Sequence, residues 1–207
     1  MELKLDNQLI DVCENNDVTV QQVIERVSDD LKDSKRVISE ISVNGRIMAG
    51  MDDPVCAELT VGTCESVVLV SEEPRRLAHK VLYDIAEYMP KIHDALVETS
   101  NLIQSRKEAD GLRMLEQVTS LWSELYQGFG NALIITGLDL DSAFVKGKSF
   151  TSINDDIQQL LENISELVQE QRFLELSDML EYELAPKMPL VEEGIYQLVK
   201  EIEKGVN

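Results

Sequence analysis

Cysteine is scarce in this chain: Cys13, Cys56 and Cys64 are the only three in 207 residues, and no two form a C-x-x-C pair. An odd, scattered set of thiols fits neither a secreted disulfide framework nor a zinc finger, so a reducing compartment is expected, with the cytoplasm as its simplest form. Histidine is scarcer still. His79 and His93 lie fourteen residues apart in one helical stretch, which places them on nearly the same face but roughly 21 Å apart, too far to share a metal. Carboxylate-bridged metal bundles need glutamate three residues before histidine, whereas Arg76 precedes His79 and Pro90 precedes His93 at that spacing. With so few histidines, a Ser-His-Asp or Cys-His nucleophile also has little to be built from.

Positive charge is the next deficit. Nineteen Lys and Arg face 39 Asp and Glu, for a net charge of −20, so nucleic acid and anionic membrane surfaces are poor partners and basic protein surfaces better ones. No apolar run approaches the length of a membrane span. The opening Met1-Glu2-Leu3-Lys4-Leu5 alternates charge with leucine and has no apolar core, unlike a signal peptide. Gly128-Phe129-Gly130 lacks the third glycine and the leading strand of a dinucleotide fingerprint, and no lysine-bearing phosphate loop is present. No cofactor is therefore expected.

What is present divides near Pro74, with short alternating runs before it and long helical ones after it. Residues 1–73 are read as one domain and 74–207 as a second, joined through Ser71-Glu72-Glu73-Pro74. Up to Pro74 the chain carries 6 basic and 16 acidic residues, and beyond it 13 and 23. Each part is thus −10, and the acidity is a global solubility feature more than a binding tail.

In the first part, Glu2 to Leu5 and Leu9 to Cys13 read as a hairpin turning at Asp6-Asn7-Gln8. Thr19 is placed to cap a helix, with Gln22 as its capping-box partner and Val18 with Val23 as the hydrophobic staple. Val20, Val23, Ile24, Val27 and Leu31 make one apolar stripe. Val37 to Val43 then reads as a strand, Asn44-Gly45 as a two-residue hairpin turn, Arg46-Ile47-Met48 as the return and Val67 to Val70 as a central strand. This order, with Asp17-Val18-Thr19-Val20 leading into the helix and Val43-Asn44-Gly45 on the next strand, resembles the ubiquitin-like β-grasp fold over about the first third of the chain. Members that act as sulfur carriers or protein modifiers end the domain in Gly-Gly. Here that place reads Val70-Ser71-Glu72-Glu73-Pro74, and the sequence closes on Gly205-Val206-Asn207, so carrier chemistry is not what the resemblance implies. It implies the fold's other use, a compact protein-interaction module.

In the second part, Ala78, Leu82, Ile85, Met89, Ile92, Leu96, Thr99 and Ile103 alternate four and three residues apart, the seam of a bundle helix. The seam returns ninety-nine residues later, with Leu184, Met188, Val191, Ile195, Leu198 and Ile202 standing against Ile85, Met89, Ile92, Leu96, Thr99 and Ile103. Leu77, Tyr83, Ala86 and Pro90 recur as Leu176, Tyr182, Ala185 and Pro189. Each shared proline has alanine four residues back, where its ring crowds the carbonyl, so both helices are expected to kink at the same height, with Pro186 straining the second copy further. Two inner helices, about Ala109 to Ile135 and Ser152 to Gln171, carry stripes of their own: Leu115, Val118, Trp122, Leu125 and Phe129 on the first, and Ile153, Ile157, Leu160, Leu161, Ile164, Leu167 and Val168 on the second. They echo each other through Met114 to Leu121 and Leu160 to Leu167. The expectation is an antiparallel four-helix bundle, self-associating through the heptad seam, with a long link at Thr136 to Thr151 that is mobile at Gly147-Lys148-Ser149.

Several features could carry function. Asp139-Leu140-Asp141-Ser142-Ala143 superficially suggests an aspartyl-phosphate loop, but the preceding segment reads as helix and Ala143 stands where threonine or valine belongs. Arg75, Arg76 and Lys80, with His79, form the densest basic cluster. It sits at a helix N-terminus, where positive charge is unfavourable, and either pairs with Glu72 and Glu73 or meets an acidic partner. Glu181, Tyr182 and Glu183 set acids around an aromatic ring as a recognition edge. Met89, Met114, Met179 and Met188 either fill the core or line an adaptable groove.

The whole reads as an α+β protein, a β-grasp domain followed by an all-α antiparallel four-helix bundle. The expected function is a non-enzymatic adaptor or chaperone-like protein that binds another, basic protein. Bundles of this size resemble bacterial secretion and flagellar export chaperones in general form. The competing classes are a carboxylate-bearing enzyme or metal bundle and a purely structural homo-oligomer.

Overall fold

A computed structural model describes residues 1–11 and 15–204, in two compact units, Met1–Leu77 and Ala78–Asn207. Cys13, the far end of the strand expected at Leu9 to Cys13, and the closing Gly205-Val206-Asn207 lie outside the described residues.

The first unit is a five-stranded mixed sheet with one long helix. Its strands are β1 (Glu2–Leu5), β2 (Gln8–Ile10), β3 (Val37–Val43), β4 (Arg46–Ile47) and β5 (Ser66–Glu72), in the order β2-β1-β5-β3-β4. Only the central pair β1 and β5 is parallel. This is the β-grasp arrangement: β1 and β5 come from the two ends of the unit, and the crossover between the hairpins carries α1 (Val20–Asp33). Leu3, Ile41, Val43, Val67 and Leu69 alternate onto the buried face and meet Val20, Val23, Ile24, Val27 and Leu31 of α1 in one core.

Local chemistry fixes both ends of this unit. Thr19 Oγ1 accepts the Gln22 backbone N–H at 3.2 Å, and Gln22 Oε1 accepts the Thr19 N–H at 3.2 Å, a reciprocal capping box. Thr19→Ala should cost about 1 kcal/mol, read as faster hydrogen exchange across α1; unchanged exchange would remove the cap from the account. Asn44 and Gly45 take φ of 49° and 80°, the primed hairpin turn expected of them. Asn44 Oδ1 also accepts the N–H groups of Glu65 and Ser66 at 3.0 Å each, tying that turn to the start of β5. A short helix, α2 (Pro54–Glu58), is capped by Asp53, whose carboxylate accepts the Val55 N–H at 3.0 Å. Cys56 and Cys64 are buried, unbridged thiols, and burial pushes both above the ordinary thiol range.

The second unit holds the helices. They are α3 (Pro74–Gln104, its first turn in the first unit), α4 (Glu108–Thr136), α5 (Phe150–Gln169) and a helical run from Phe173 to Lys204. That run begins as α6 (Phe173–Asp178), passes through a π turn at Met179–Leu184 and a 3₁₀ turn at Ala185–Lys187, and ends as α7 (Met188–Lys204). Cross-contacts give the direction of each neighbour. Gly111 and Gly128 of α4 face Ile103 and Ile85 of α3. Phe129 and Tyr126 of α4 meet Phe150 and Asn154 of α5. Gly194 of α7 faces Phe150, while His79 and Ser100 of α3 bond Glu203 and Glu181. Each pair runs antiparallel, which makes a four-helix bundle.

Every seam position expected in α3 and in the run from Leu184 to Ile202 is buried, all but Thr99 in a single apolar core. The seam is therefore consumed within the chain and offers no apolar stripe to a second copy, which corrects the expectation of self-association through it. Met89 and Met188 are core. Neither proline ends its helix: α3 continues through Pro90, and in the second copy the geometry changes instead. The Ala185 N–H reaches back five residues to the Leu180 carbonyl, and the Met188 N–H takes the Ala185 carbonyl in a 3₁₀ bond. That carbonyl is the one Pro189, lacking an N–H, cannot use.

The link at Thr136 to Thr151 carries regular structure, Gly147-Lys148-Ser149 included. Gly137 closes α4 in a left-handed cap, Asp139 caps a 3₁₀ turn (Leu140–Ser142) by accepting the Asp141 N–H, and β6 (Phe144–Val145) pairs with β7 (Lys148–Ser149). The Gln197 side chain bonds both backbone groups of Phe144, at 3.0 and 2.8 Å, and so holds the hairpin to α7.

Candidate protein-binding groove

Two glycines determine which helices close upon each other. At Gly111 a Cβ would stand 2.7 Å from Ile103 Cγ1 and 3.3 Å from the Thr99 carbonyl oxygen, so the start of α4 lies hard against the end of α3. At Gly194 a Cβ would stand 2.5 Å from the Phe150 ring, so that ring, at the start of α5, packs directly on the α7 backbone. Glycine costs about 1 kcal/mol against alanine inside a helix, and close approach is what it permits in exchange.

With α4 held to α3 and α5 held to α7, the seam between α4 and α5 stays open. It is a groove of about 790 Å³ floored by Leu115, Trp122, Tyr126, Leu161, Ile164 and Val168. The α4 lining residues from Leu112 to Tyr126 recur at three- and four-residue spacing, and the span is roughly 21 Å, four helical turns. Trp122 stacks on Tyr126 with ring centroids 6.3 Å apart. The Tyr126 hydroxyl accepts a 2.7 Å hydrogen bond from Asn154, which closes the seam beyond it. Trp122 also borders two small internal gaps behind the groove, about 20 Å³ each, room for about one water. The rim is polar: Ser123, Gln158, Ser165 and Gln169 are exposed, and Glu116 is the one charged lining residue.

The residues singled out in the sequence lie elsewhere. Arg75 and Arg76 are exposed in the first turn of α3, with Arg76 Nε 3.7 Å from Glu72, and Lys80 is exposed one turn on. Glu181 turns inward and accepts hydrogen bonds from Ser100 at 3.0 Å and Gln104 at 3.3 Å. Tyr182 and Glu183 are exposed, and hydrogen bonding to Glu181 pushes the Tyr182 hydroxyl above its ordinary value. Ser100 lies twenty residues along α3 from Lys80, roughly 30 Å, so the basic cluster and the acid-tyrosine edge form no common site. His79 and His93 pair with Glu203 and Asp94 at 3.1 and 3.0 Å. Among the described residues no group of His, Cys, Asp or Glu is arranged to hold a metal ion, and no helix is long and apolar enough to cross a membrane.

A second exposed apolar surface lies on the first unit. Leu9, Lys4, Val68, Ser42 and Ile47 stand in register across all five strands on the face opposite α1. Leu9 and Ile47, at its two ends, are 70% and 68% exposed.

A β-grasp unit followed by a bundle with one open seam is the class that fold and groove define. The chain belongs to the family described as a domain of unknown function, DUF8042, whose model matches residues 80–194. That span contains α4 and α5 whole, and with them the groove. The chain is also similar to an uncharacterized protein of Treponema pallidum (strain Nichols), 24% identical over 201 residues that cover 96% of this chain and 98% of the relative. No solved structure matches.

Proposed function

We propose that this chain is a non-enzymatic adaptor or chaperone-like protein of a reducing compartment such as the cytoplasm, and that it binds another protein through the α4/α5 groove. The observation that supports this reading is the open seam between α4 and α5, where Trp122, Tyr126, Leu161 and Val168 are only half-buried above the buried Leu115 and Ile164, centred on a stacked tryptophan-tyrosine pair. Aromatic anchors in a desolvated trough with a polar rim are the usual energetic centre of a protein interface. The unbridged, buried Cys56 and Cys64 agree with the compartment, and the net charge of −20 disfavours nucleic acid and anionic membranes.

The test compares three full-length proteins as immobilised bait: wild type, Ser165→Arg and Ile47→Glu. Ser165 is exposed and lines the groove, so arginine obstructs it without entering the core; Ile47 marks the outer sheet face. The expected result is a saturable protein partner retained by wild type and Ile47→Glu and lost, by at least ~10-fold in affinity, with Ser165→Arg. Loss only with Ile47→Glu would transfer the function to the sheet. Absence of any saturable partner would overturn the adaptor reading.

A further inference from the structure

Resting on that reading of the groove, the geometry points to one class of occupant: a basic amphipathic α-helix of another protein, laid along the α4/α5 seam. Three observations converge on it.

Length and shape come first. The floor is roughly 21 Å long and made of side chains at helical spacing from two antiparallel helices. A third helix fits such a seam by setting its own i, i+3, i+4, i+7 stripe into it.

Hydrogen bonding comes second. An extended segment would bring backbone N–H and C=O groups onto an apolar floor whose walls are helices, with no strand edge to pair them. The hydroxyl of Thr119 is already given to the Leu115 and Glu116 carbonyls, at 2.9 and 3.0 Å, and Ser165 accepts from Gln169. A helix satisfies its own backbone and needs only apolar contact there.

Charge comes third. Neither lysine nor arginine lines the groove, Glu116 does, and the exposed Asp155 and Glu162 follow its α5 edge on the helical wheel. Arg113, on the far side of the α4 rim, is engaged by Asp110 at 3.5 Å. A second copy of this chain would bring the same acidic rim against itself, whereas a lysine-rich or arginine-rich flank would be drawn to it.

The chain carries its own reporter, because Trp122 is its one tryptophan and lines the groove. Three synthetic peptides of about 18 residues share one leucine stripe and differ only in the polar face, which is lysine, glutamine or glutamate. Each is titrated into the full-length protein at low salt, following Trp122 fluorescence and peptide helicity.

The expected result is saturable binding of the lysine peptide, at least ~10-fold tighter than the glutamate peptide. Binding should be accompanied by gain of helix, weaken at about 0.5 M salt, and be lost in Ser123→Arg/Ser165→Arg. Equal binding of all three peptides, blocked by the double variant, would overturn the charge selection and leave the groove standing. Failure of every peptide while Ser165→Arg still loses its captured partner would overturn the helical occupant alone. Lysine-peptide binding that survives the double variant, or a Trp122 signal that changes with protein concentration alone, would overturn the proposal in favour of surface attraction or a second copy.

Discussion

Gly194→Ala is expected to destabilise the helical unit by about 2 kcal/mol even though alanine is the better helix former. The new methyl would sit 2.5 to 2.9 Å from three atoms of the Phe150 ring. That ring is only 2% exposed and meets Phe129 edge-on with centroids 5.9 Å apart. A rigid ring packed on both sides has nowhere to rotate, so either α5 lifts from α7 or Phe150 leaves its rotamer, at about 1–3 kcal/mol for overpacking, offset by up to ~1 kcal/mol of helix propensity. The control is Phe150→Leu, which removes the ring and is itself destabilising. In that background Gly194→Ala should become neutral or slightly stabilising. Urea denaturation of the four proteins gives the coupling as a thermodynamic cycle. Additive effects would mean that the close approach of α5 to α7 is not what glycine provides there.

This glycine shows where sequence reasoning stopped. The local signals were complete wherever one residue and its near neighbours decide the outcome. Thr19 with Gln22 announces a helix start because both hydrogen bonds close within one turn. Asn44-Gly45 announces a hairpin because few residue pairs tolerate left-handed φ twice. The seam of α3 and α7 was equally legible, since a stripe repeated every three or four residues must be buried against something. The second hairpin had its signal too. Lys146 and Gly147 take φ of 50° and 82°, the same primed turn as Asn44-Gly45, hidden because lysine is an uncommon first residue for it. Five residues of α2 were too few for any periodicity to show.

The groove was legible only in part. Leu115, Trp122, Leu161, Ile164 and Val168 all stood on apolar stripes in the sequence, but a stripe says that a face is apolar and not whether the same chain covers it. Coverage depends on which helices pack together, as where Gly111 lies against α3 and Gly194 against Phe150, and glycine inside a helix names no neighbour. Arg75, Arg76, Lys80, Glu181, Tyr182 and Glu183 are clusters along the chain only. Sequence adjacency puts neighbours about 100° apart on a helix. Glu181 accordingly turns in to Ser100 while the Tyr182 and Glu183 side chains are exposed, so the three do not present one common face.

In the first unit, Asp6→Ala is expected to cost about 1–3 kcal/mol, because it removes the acceptor of both the N–H and the hydroxyl of Ser71, which is 3% exposed. Asp6 stands at the β1–β2 turn with φ of 49°. Its carboxylate accepts the Ser71 backbone N–H at 2.8 Å and the Ser71 hydroxyl at 2.7 Å. Arg36, at the approach to β3, donates to Ser71 Oγ at 2.8 Å and to the Ser71 carbonyl at 2.6 Å, and stands 3.5 Å from the Asp6 carboxylate. The cluster thus ties the first hairpin, the start of β3 and the end of β5 at one corner of the sheet. The backbone hydrogen bond from Ser71, then its hydroxyl, then the Arg36 charge hold the Asp6 carboxyl below its ordinary value of 3.8. The folded state therefore binds the Asp6 proton less readily than the unfolded chain does. Its contribution is complete at neutral pH and is lost as pH falls below the unfolded value and through the folded one. Because the side chain is 40% exposed, solvent screening limits this pH-dependent part to at most about 1 kcal/mol. The measurement is the urea midpoint of wild type, Asp6→Asn and Asp6→Ala from neutral pH down to about pH 3. Both variants should be weaker at neutral pH, alanine more so because asparagine keeps one acceptor oxygen, and their deficits should narrow on acidification. A deficit that is constant with pH would mean that the Asp6 charge contributes nothing and that Asp6 holds the corner through pH-independent contacts alone.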